Sequence, residues 1–413
     1  MWEAGRFLFV CNRGVCVAQS NINVALIGQK FMGRAHSNAY LAASRFFKLP
    51  TKPVLHTIVA RDKPSLDEFA ECWGWQNATT DWRTAVTNPE IDLVDVSTPN
   101  NKHRDFVIAA LEAGKHVACE KPLAATLDDA RAMCDAARRA RKSKTFVWYN
   151  YRRVPAVATA YKLAKQGVLG RIYHVNVFYR QGWAGSADIP LIWRFDKAQA
   201  GSGALGDLGA HVIDMARFVT GDEFVEITGA LTETFIKERT IPSAEGGAGI
   251  ASGAKGTGKK GKVTVDDAVL AIGRMKQGAI FRLEATRFAV GRENRNGFEI
   301  NGEKGALRFD FEDLNNLYYY NNADPELTRG WTKVQTSFPN VHPYQHAYWP
   351  TAHPLGYEHA FVNMAADICR VLGGEAPEVP LPDFADAYQT QRVMEAIELA
   401  AREKRSVRLN EVR

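Results

Sequence analysis

Cysteine is sparse in this chain and is not arranged for chemistry. Cys11, Cys16, Cys72, Cys119, Cys134 and Cys369 form no CxxC pair and no cluster. That excludes a zinc ribbon and a disulfide framework, and it points to a reducing, cytoplasmic compartment. Long apolar runs are also missing: none approaches the roughly 18 residues of a membrane span. No charge of one sign dominates either. Lysine and arginine total 52 against 46 acidic residues, a formal +6, and no basic patch is interleaved with aromatics, so no nucleic-acid partner is expected. The stretch HPYQHAYWPTAH, from His342 to His353, has three histidines but no carboxylate at ligand spacing, so no metal site is expected.

What is present is length and pattern. The 413 residues, 46% of them apolar, are enough for two domains with a sizeable core. Residues 1–20 read as an extension ahead of the first strand. Their short apolar piece, Phe7 to Cys11, follows a single arginine and no twin arginine, which makes a thin case for a signal peptide. From residue 21 to 148 apolar strands alternate with helical stretches: NVALIG, VLHTIVA, IDLVDVSTP, KHVACEKP and KTFVWYN are the strands, with helices between them. This alternation predicts a doubly wound parallel sheet, a Rossmann domain. Residues 149–413 change character to longer strands joined by short turns such as MKQG and NGEKG. They predict an α+β domain on an open, mainly antiparallel sheet. Within it, the glycine- and lysine-rich run 243–262 reads as a flexible loop.

The first strand ends in GQKFMG, with Gly28 and Gly33 at the positions that need a tight turn and close helix packing. The middle glycine is replaced by Lys30, followed by Phe31 and Met32. Lys30 either donates to a phosphate or points to solvent, and the pyrophosphate is expected at the helix N-terminus. After the second strand come Arg61 and Asp62. The aspartate suits ribose hydroxyls and the arginine a 2′-phosphate, so NAD is favoured over NADP, and the alternative role for Asp62 is a helix cap. Ser97, Thr98, Pro99, Asn100 and His103 follow the third of these strands and are expected to wall the nicotinamide side. Asn100 also reads as a turn residue and His103 as a helix start.

Two further motifs carry the chemistry. CEKPL places Lys121 at the carboxyl end of a buried strand, with Glu120 beside it to contact the nicotinamide ribose or to pair locally. GALGDLGAHVIDMARF sets Asp207 and His211 four residues apart, on one face of a helical turn. His211 alone would read as a core histidine; with Asp207 before it, it reads as the proton acceptor of an alcohol oxidation. Lys121 would then hydrogen-bond the same oxygen, and Asp207 would fix a neighbouring hydroxyl or the imidazole. Asp214 reads as a helix-packing residue. Tyr149, Tyr151 and Arg152 in YNYRR, Gln181 and Trp183 in QGWAGS, and Arg194 lie where the domains join. They are candidates for holding a polyhydroxylated ring, or else core and interface residues.

EKP at Glu120 to Pro122, GDLGAH at Gly206 to His211 and the FMGRAH turn together resemble the Gfo/Idh/MocA oxidoreductase family from about Asn21 onward. The resemblance implies that Lys121, Asp207 and His211 surround the reacting carbinol and that the Lys121–Pro122 bond is cis. It further implies an NAD-dependent dehydrogenase acting on a pyranose, anhydro-sugar or inositol. The open sheet of the second domain has one face that must be covered, so a homodimer or homotetramer packed through that sheet is expected. A redox-neutral glycosidase with tightly held NAD is the alternative, and a non-catalytic sensor a more distant one.

Overall fold

The computed structural model describes residues 20–242 and 256–412. Residues 1–19 of the predicted N-terminal extension, with Cys11 and Cys16, lie outside them, and Ser20 belongs to the first strand. In the first half, β1 (Ser20–Ile27), α1 (Phe31–Phe46), β2 (Thr51–Val59), α2 (Lys63–Trp73) and β3 (Asn77–Thr79) lead to α3 (Trp82–Thr87) and β4 (Leu93–Val96). They continue into α4 (His103–Glu112), β5 (His116–Cys119), α5 (Leu127–Arg139) and β6 (Thr145–Val147). The strands are parallel in the order β3-β2-β1-β4-β5-β6. Val24, Ala25 and Leu26 of β1 and Leu93, Val94 and Val96 of β4 are completely buried, because central parallel strands are covered by helices on both faces. Thr126 caps α5 by accepting from the Asp129 N–H, which fixes where that helix starts. The three-residue β3 and short α3 are absent from the sequence reading, since neither is long enough to show a period.

The second half opens with α6 (Pro155–Lys165), β7 (Ile172–Arg180), α7 (Lys197–Ala200) and α8 (Ala210–Thr220), followed by β8 (Phe224–Glu233), β9 (Glu238–Pro242) and β10 (Gly256–Lys262). Strands β11 (Ala268–Met275), β12 (Ile280–Thr286), β13 (Arg295–Gly302), β14 (Gly305–Asp310), β15 (Asn316–Asn321) and β16 (Trp331–Gln335) come next. The chain finishes with α9 (Tyr357–Leu372), α10 (Phe384–Glu403) and β17 (Val407–Arg408). Nine strands form one sheet in the order β16-β15-β14-β13-β7-β12-β11-β8-β17. Only β7 and β12 run parallel within it. Along β11 burial alternates residue by residue, so one face packs on the helices and the other faces outward.

One expectation is corrected here. Residues 256–262, read as part of a flexible loop, are strand β10, paired antiparallel with β9; residues 243–255 lie outside the described part. The run GTGKKGK has little intrinsic strand preference. Its order comes from its partners: a Cβ on Gly261 would stand 2.6 Å from Leu191 Cδ2, so glycine lets the strand lie close on a neighbouring loop.

The C-terminal helices fasten the halves together. Helix α9 packs on α1, and α10 on α5, while Val147 N donates to Pro382 O at 2.9 Å. The carboxyl ends of β4 and β5 thereby face α8, where the site is built.

Candidate active site

The glycine turn is held closed by its neighbours. Gly28 adopts φ +122°, and a Cβ there would lie 2.5 Å from Ser97 Oγ; one on Gly33 would lie 2.4 Å from Gly28 O. Both positions therefore require glycine. The 16-residue α1 begins directly after the turn with no side-chain cap and no acidic residue in its first turn. Its uncapped amides and dipole fit an anion, which is what a dinucleotide pyrophosphate would present. Lys30 and Phe31 are exposed beside it and Met32 is half-buried. Arg61 and Asp62 lie exposed at the end of β2. The Asp62 carboxylate accepts from Ser65 Oγ, which in turn accepts from Gln29 Nε2 at 2.7 Å, so the aspartate is tethered beside the turn.

The segment after β4 divides by function. Ser97 Oγ donates to Ile27 O and Gly28 O and supports the turn. Thr98 Oγ1 is buried with no hydrogen-bond partner and is the polar atom left for a ligand, and Pro99 leads into a short 3-10 turn. Asn100 and His103 take the plainer of their two readings, a turn residue and the start of α4. Asn100 Nδ2 donates to Ala200 O at 2.9 Å. His103 is fully buried, with its ring nitrogens 3.2 Å from Leu123 O and 3.0 Å from Thr98 O. Both side chains are spent inside the protein and shape the loop.

Glu120 takes the local of its two expected roles. Its Oε2 accepts from Lys121 N at 3.0 Å, and its Oε1 lies 3.0 Å from His36 Nε2. His36 Nδ1 is 2.9 Å from Asp95 Oδ2, and Asp95 also accepts from Tyr40 and Trp148. Burial pushes the His36 imidazole down, but Asp95 and Glu120 outweigh it and raise it to about 9. A buried imidazolium between two carboxylates thus anchors the residue that precedes Lys121. The Lys121–Pro122 bond is cis.

Lys121 reaches across the cleft. Its Nζ donates to Asp207 O at 2.7 Å and lies 3.5 Å from Asp207 Oδ1. Asp207 sits on a π-helical turn, Leu205–Gly209, a local widening that recurs at functional sites. The Asp266 carboxylate holds the start of this turn, accepting from Gly203 N at 2.7 Å and Leu205 N at 2.8 Å. Arg194 Nε is 3.9 Å from Asp207 Oδ2, and the guanidinium lies 4.4 Å from the Trp193 ring centre. Burial pushes the Asp207 carboxyl up, but Lys121, Arg194 and Arg287 overcome it and hold it below its usual value. His211 opens α8, 6% exposed, with Nδ1 buried and without a partner. Burial, and then the Lys121 charge, depress its pKa well below 6.5. The imidazole is neutral near pH 7 and free to accept a proton.

The substrate-side candidates separate in the same way. Tyr151 packs on His211 with ring centres 4.4 Å apart and shares a hydroxyl contact of 2.9 Å with Tyr179. Tyr179 donates to Asn294 Oδ1 at 2.8 Å, Gln181 Nε2 donates to the same oxygen at 2.7 Å, and Trp183 Nε1 donates to Gln181 Oε1 at 3.0 Å. Tyr149 takes the core reading, buried and edge-on to His211. Arg152 does the same, with its guanidinium buried and paired with Asp214 and Asp386. Asp214 is accordingly the packing residue expected. Arg287, Tyr179, Asn294, His36 and Asp95 escaped the sequence reading. His36 closes the FMGRAH turn without a role being read for it there; the other four lie in no motif, and each of the five is recruited from a different strand, helix or loop. Among the described residues no group of His, Cys, Asp and Glu could hold a metal ion, and no helix is long and apolar enough to cross a membrane.

Comparison with known proteins agrees with this geometry. Residues 22–149 match the oxidoreductase family with an NAD-binding Rossmann fold, and residues 157–308 the GFO/IDH/MocA C-terminal domain. Levoglucosan dehydrogenase of Pseudarthrobacter phenanthrenivorans is 42% identical over 391 residues, 93% of this chain and 97% of that protein. The crystal structure of an oxidoreductase domain protein from Kribbella flavida superposes with a TM-score of 0.88 at 43% identity, covering 95% of this chain and 100% of that one. A levoglucosan dehydrogenase complex with NADH and levoglucosan gives 0.86 at 40% identity, covering 94% and 100%. The chain belongs to the Gfo/Idh/MocA oxidoreductase family and carries that family's NAD-binding Rossmann domain.

Proposed function

We propose that this protein oxidises a ring carbinol of levoglucosan or a closely related anhydro-sugar, with NAD as the hydride acceptor. The observation that carries the reading is the convergence of Lys121 Nζ on Asp207, 2.7 Å from its backbone carbonyl and 3.5 Å from its carboxylate, beside a neutral His211 whose Nδ1 has no partner. The similarity to levoglucosan dehydrogenase over almost the whole chain narrows the substrate. Bound NAD supplies the acceptor for the hydrogen leaving carbon. Lys121 donates to the reacting oxygen and favours its alkoxide character. His211 accepts the hydroxyl proton as the carbonyl forms, and its depressed pKa releases that proton readily to solvent. Asp207, kept ionised by Lys121 and Arg194, accepts from a neighbouring hydroxyl. Trp183 offers a face to the ring, and Gln181 is its hydrogen-bonded support. Thr98 and the uncapped end of α1 line the cofactor side, with Asp62 placed for ribose hydroxyls.

The test is an absorbance assay for reduced nicotinamide, run with NAD and separately with NADP. The panel is levoglucosan, other anhydro-sugars, free pyranoses, inositols and chromogenic glycosides. Reduction of NAD by levoglucosan is expected. Release of chromogen without net reduction would instead make the protein a redox-neutral glycosidase.

The outer face of the nine-strand sheet leaves Leu231, Leu270, Ile272 and Ile280 exposed, with Leu231 and Leu270 directly opposite on β8 and β11. Such a patch calls for cover, and a second copy of the chain provides it. Light scattering is expected to give at least twice the mass of one chain, and a monomer at micromolar concentration would contradict this.

A further inference from the structure

We propose that Arg239 is a positioning residue for the substrate. From the β9–β10 hairpin it fixes the loop 182–192 in the shape that presents Trp183 and braces the tyrosines beside His211. This rests on the function proposed above.

Arg239 is 1% exposed, although it stands on a short two-strand hairpin outside the main sheet. Its guanidinium is turned into the loop and donates to Ala184 O at 2.6 Å, Ser186 O at 2.7 Å and Ile189 O at 3.1 Å. One side chain thus satisfies three carbonyls within six residues, in a segment that has no helix or strand of its own. The same group lies 4.1 Å from the centre of the Phe195 ring. Thr240, next on β9, accepts from Leu191 N at 2.7 Å. Loop and hairpin share a small core separate from the main one: Ala184, Ile192, Phe195, Val263 and Val265 are buried together, with Trp183 packed against them. The hairpin is therefore the outer wall of the loop that carries Trp183.

The inner side of this unit faces the site. Arg287 lies 5.5 Å from the Trp183 ring centre and donates to Arg194 O at 3.2 Å. Trp183 is tied through Gln181 and Asn294 to Tyr179, and through it to Tyr151, which packs on His211. Removing the guanidinium strands the buried Ala184 carbonyl and frees the part-buried carbonyls of Ser186 and Ile189, and the Ala184 carbonyl finds a new donor only if the loop opens to water. An opened loop misplaces Trp183 and loosens the support of Tyr151, while Lys121, Asp207 and the glycine turn hang on other elements. Substrate binding should fall further than the chemical step.

The experiment compares Arg239→Ala and Arg239→Lys with the wild type in the full chain. It reads KM and kcat for levoglucosan, NADH affinity by fluorescence, and hydrogen exchange of residues 182–192. For Arg239→Ala a KM about tenfold higher or more is expected, with kcat within about threefold, because loss of alignment before chemistry appears chiefly in KM. NADH affinity should stay constant and exchange across 182–192 should accelerate. Arg239→Lys should fall between the two, and added guanidinium ion should lower the KM of the alanine variant. Unchanged exchange would overturn the staple. Faster exchange with an unchanged KM would overturn its link to substrate, and so would parallel losses of kcat and NADH affinity without guanidinium rescue. If the wild type oxidises no polyol, the proposed function fails, and exchange across 182–192 still decides whether Arg239 holds the loop.

Discussion

Lys121→Met lowers kcat for levoglucosan oxidation by about 10²- to 10⁴-fold, the range set by loss of a positioned proton-handling group, while NADH still binds. Methionine keeps the length and apolar stem of lysine but removes the donor that now contacts Asp207 at 2.7 and 3.5 Å. The consequences extend to both neighbours. Asp207 loses the first of the cations that hold its carboxyl down, leaving Arg194 at 3.9 Å and Arg287, so its pKa rises. His211 loses the charge that adds to burial in depressing its pKa, so its pKa rises too. The variant's pH profile should accordingly shift upward along with the fall in rate. Steady-state kinetics with NADH titration check this, and a kcat within threefold of the wild type would remove Lys121 from the mechanism.

Arg153→Met costs about 3–5 kcal/mol of stability, because it strands a buried carboxylate rather than deleting a surface pair. Arg153 and Asp367 are both fully buried, with Nε 3.1 Å from Oδ2. The same guanidinium donates to Val379 O at 2.8 Å and Pro380 O at 3.3 Å, fastening the segment ahead of α10. Asp367 also accepts from Tyr344 and from Glu378 N. Burial pushes its carboxyl up against the pull of Arg153 and Tyr344; without the arginine it protonates. Urea unfolding followed by tryptophan fluorescence reads the loss. A double variant, Arg153→Met with Asp367→Leu, should recover part of it, since an apolar pair leaves no charge unpaired. A single variant within about 1 kcal/mol of the wild type would contradict the ledger of that pair.

These two residues mark where sequence reasoning succeeds and where it stops. Lys121, Asp207 and His211 were legible because each lies in a compact motif whose spacing carries its geometry. The Rossmann half was legible because β1 and β4 are apolar on both faces and the helices between strands are long enough to show a period. Arg152 takes the core reading that stood beside the ring-holding one, and Arg153 received no reading of its own. Their partners Asp214, Asp386 and Asp367 lie 62, 234 and 214 positions further along, and nothing local signals such pairings. His103 takes the plainer of its two readings, the first residue of α4, and its ring lies against two backbone carbonyls, which no residue pattern records. Strand β10 was hidden for a third reason. Its glycines and lysines look like a linker, and only contacts with β9 and Leu191 impose its extended form. The network from Arg239 to Tyr151 runs through residues of five separate segments, so it exists only in the folded chain.

In the proposed reaction hydrogen moves as hydride from a levoglucosan carbon to NAD within the Lys121–Asp207–His211 site. Its most direct test is to incubate the purified protein with NAD and ring-deuterated levoglucosan and to weigh the reduced cofactor by mass spectrometry. Reduced nicotinamide carrying one deuterium is expected, formed by the wild type and lost in Lys121→Met. Reduced cofactor without deuterium, or no reduced cofactor at all, would contradict it.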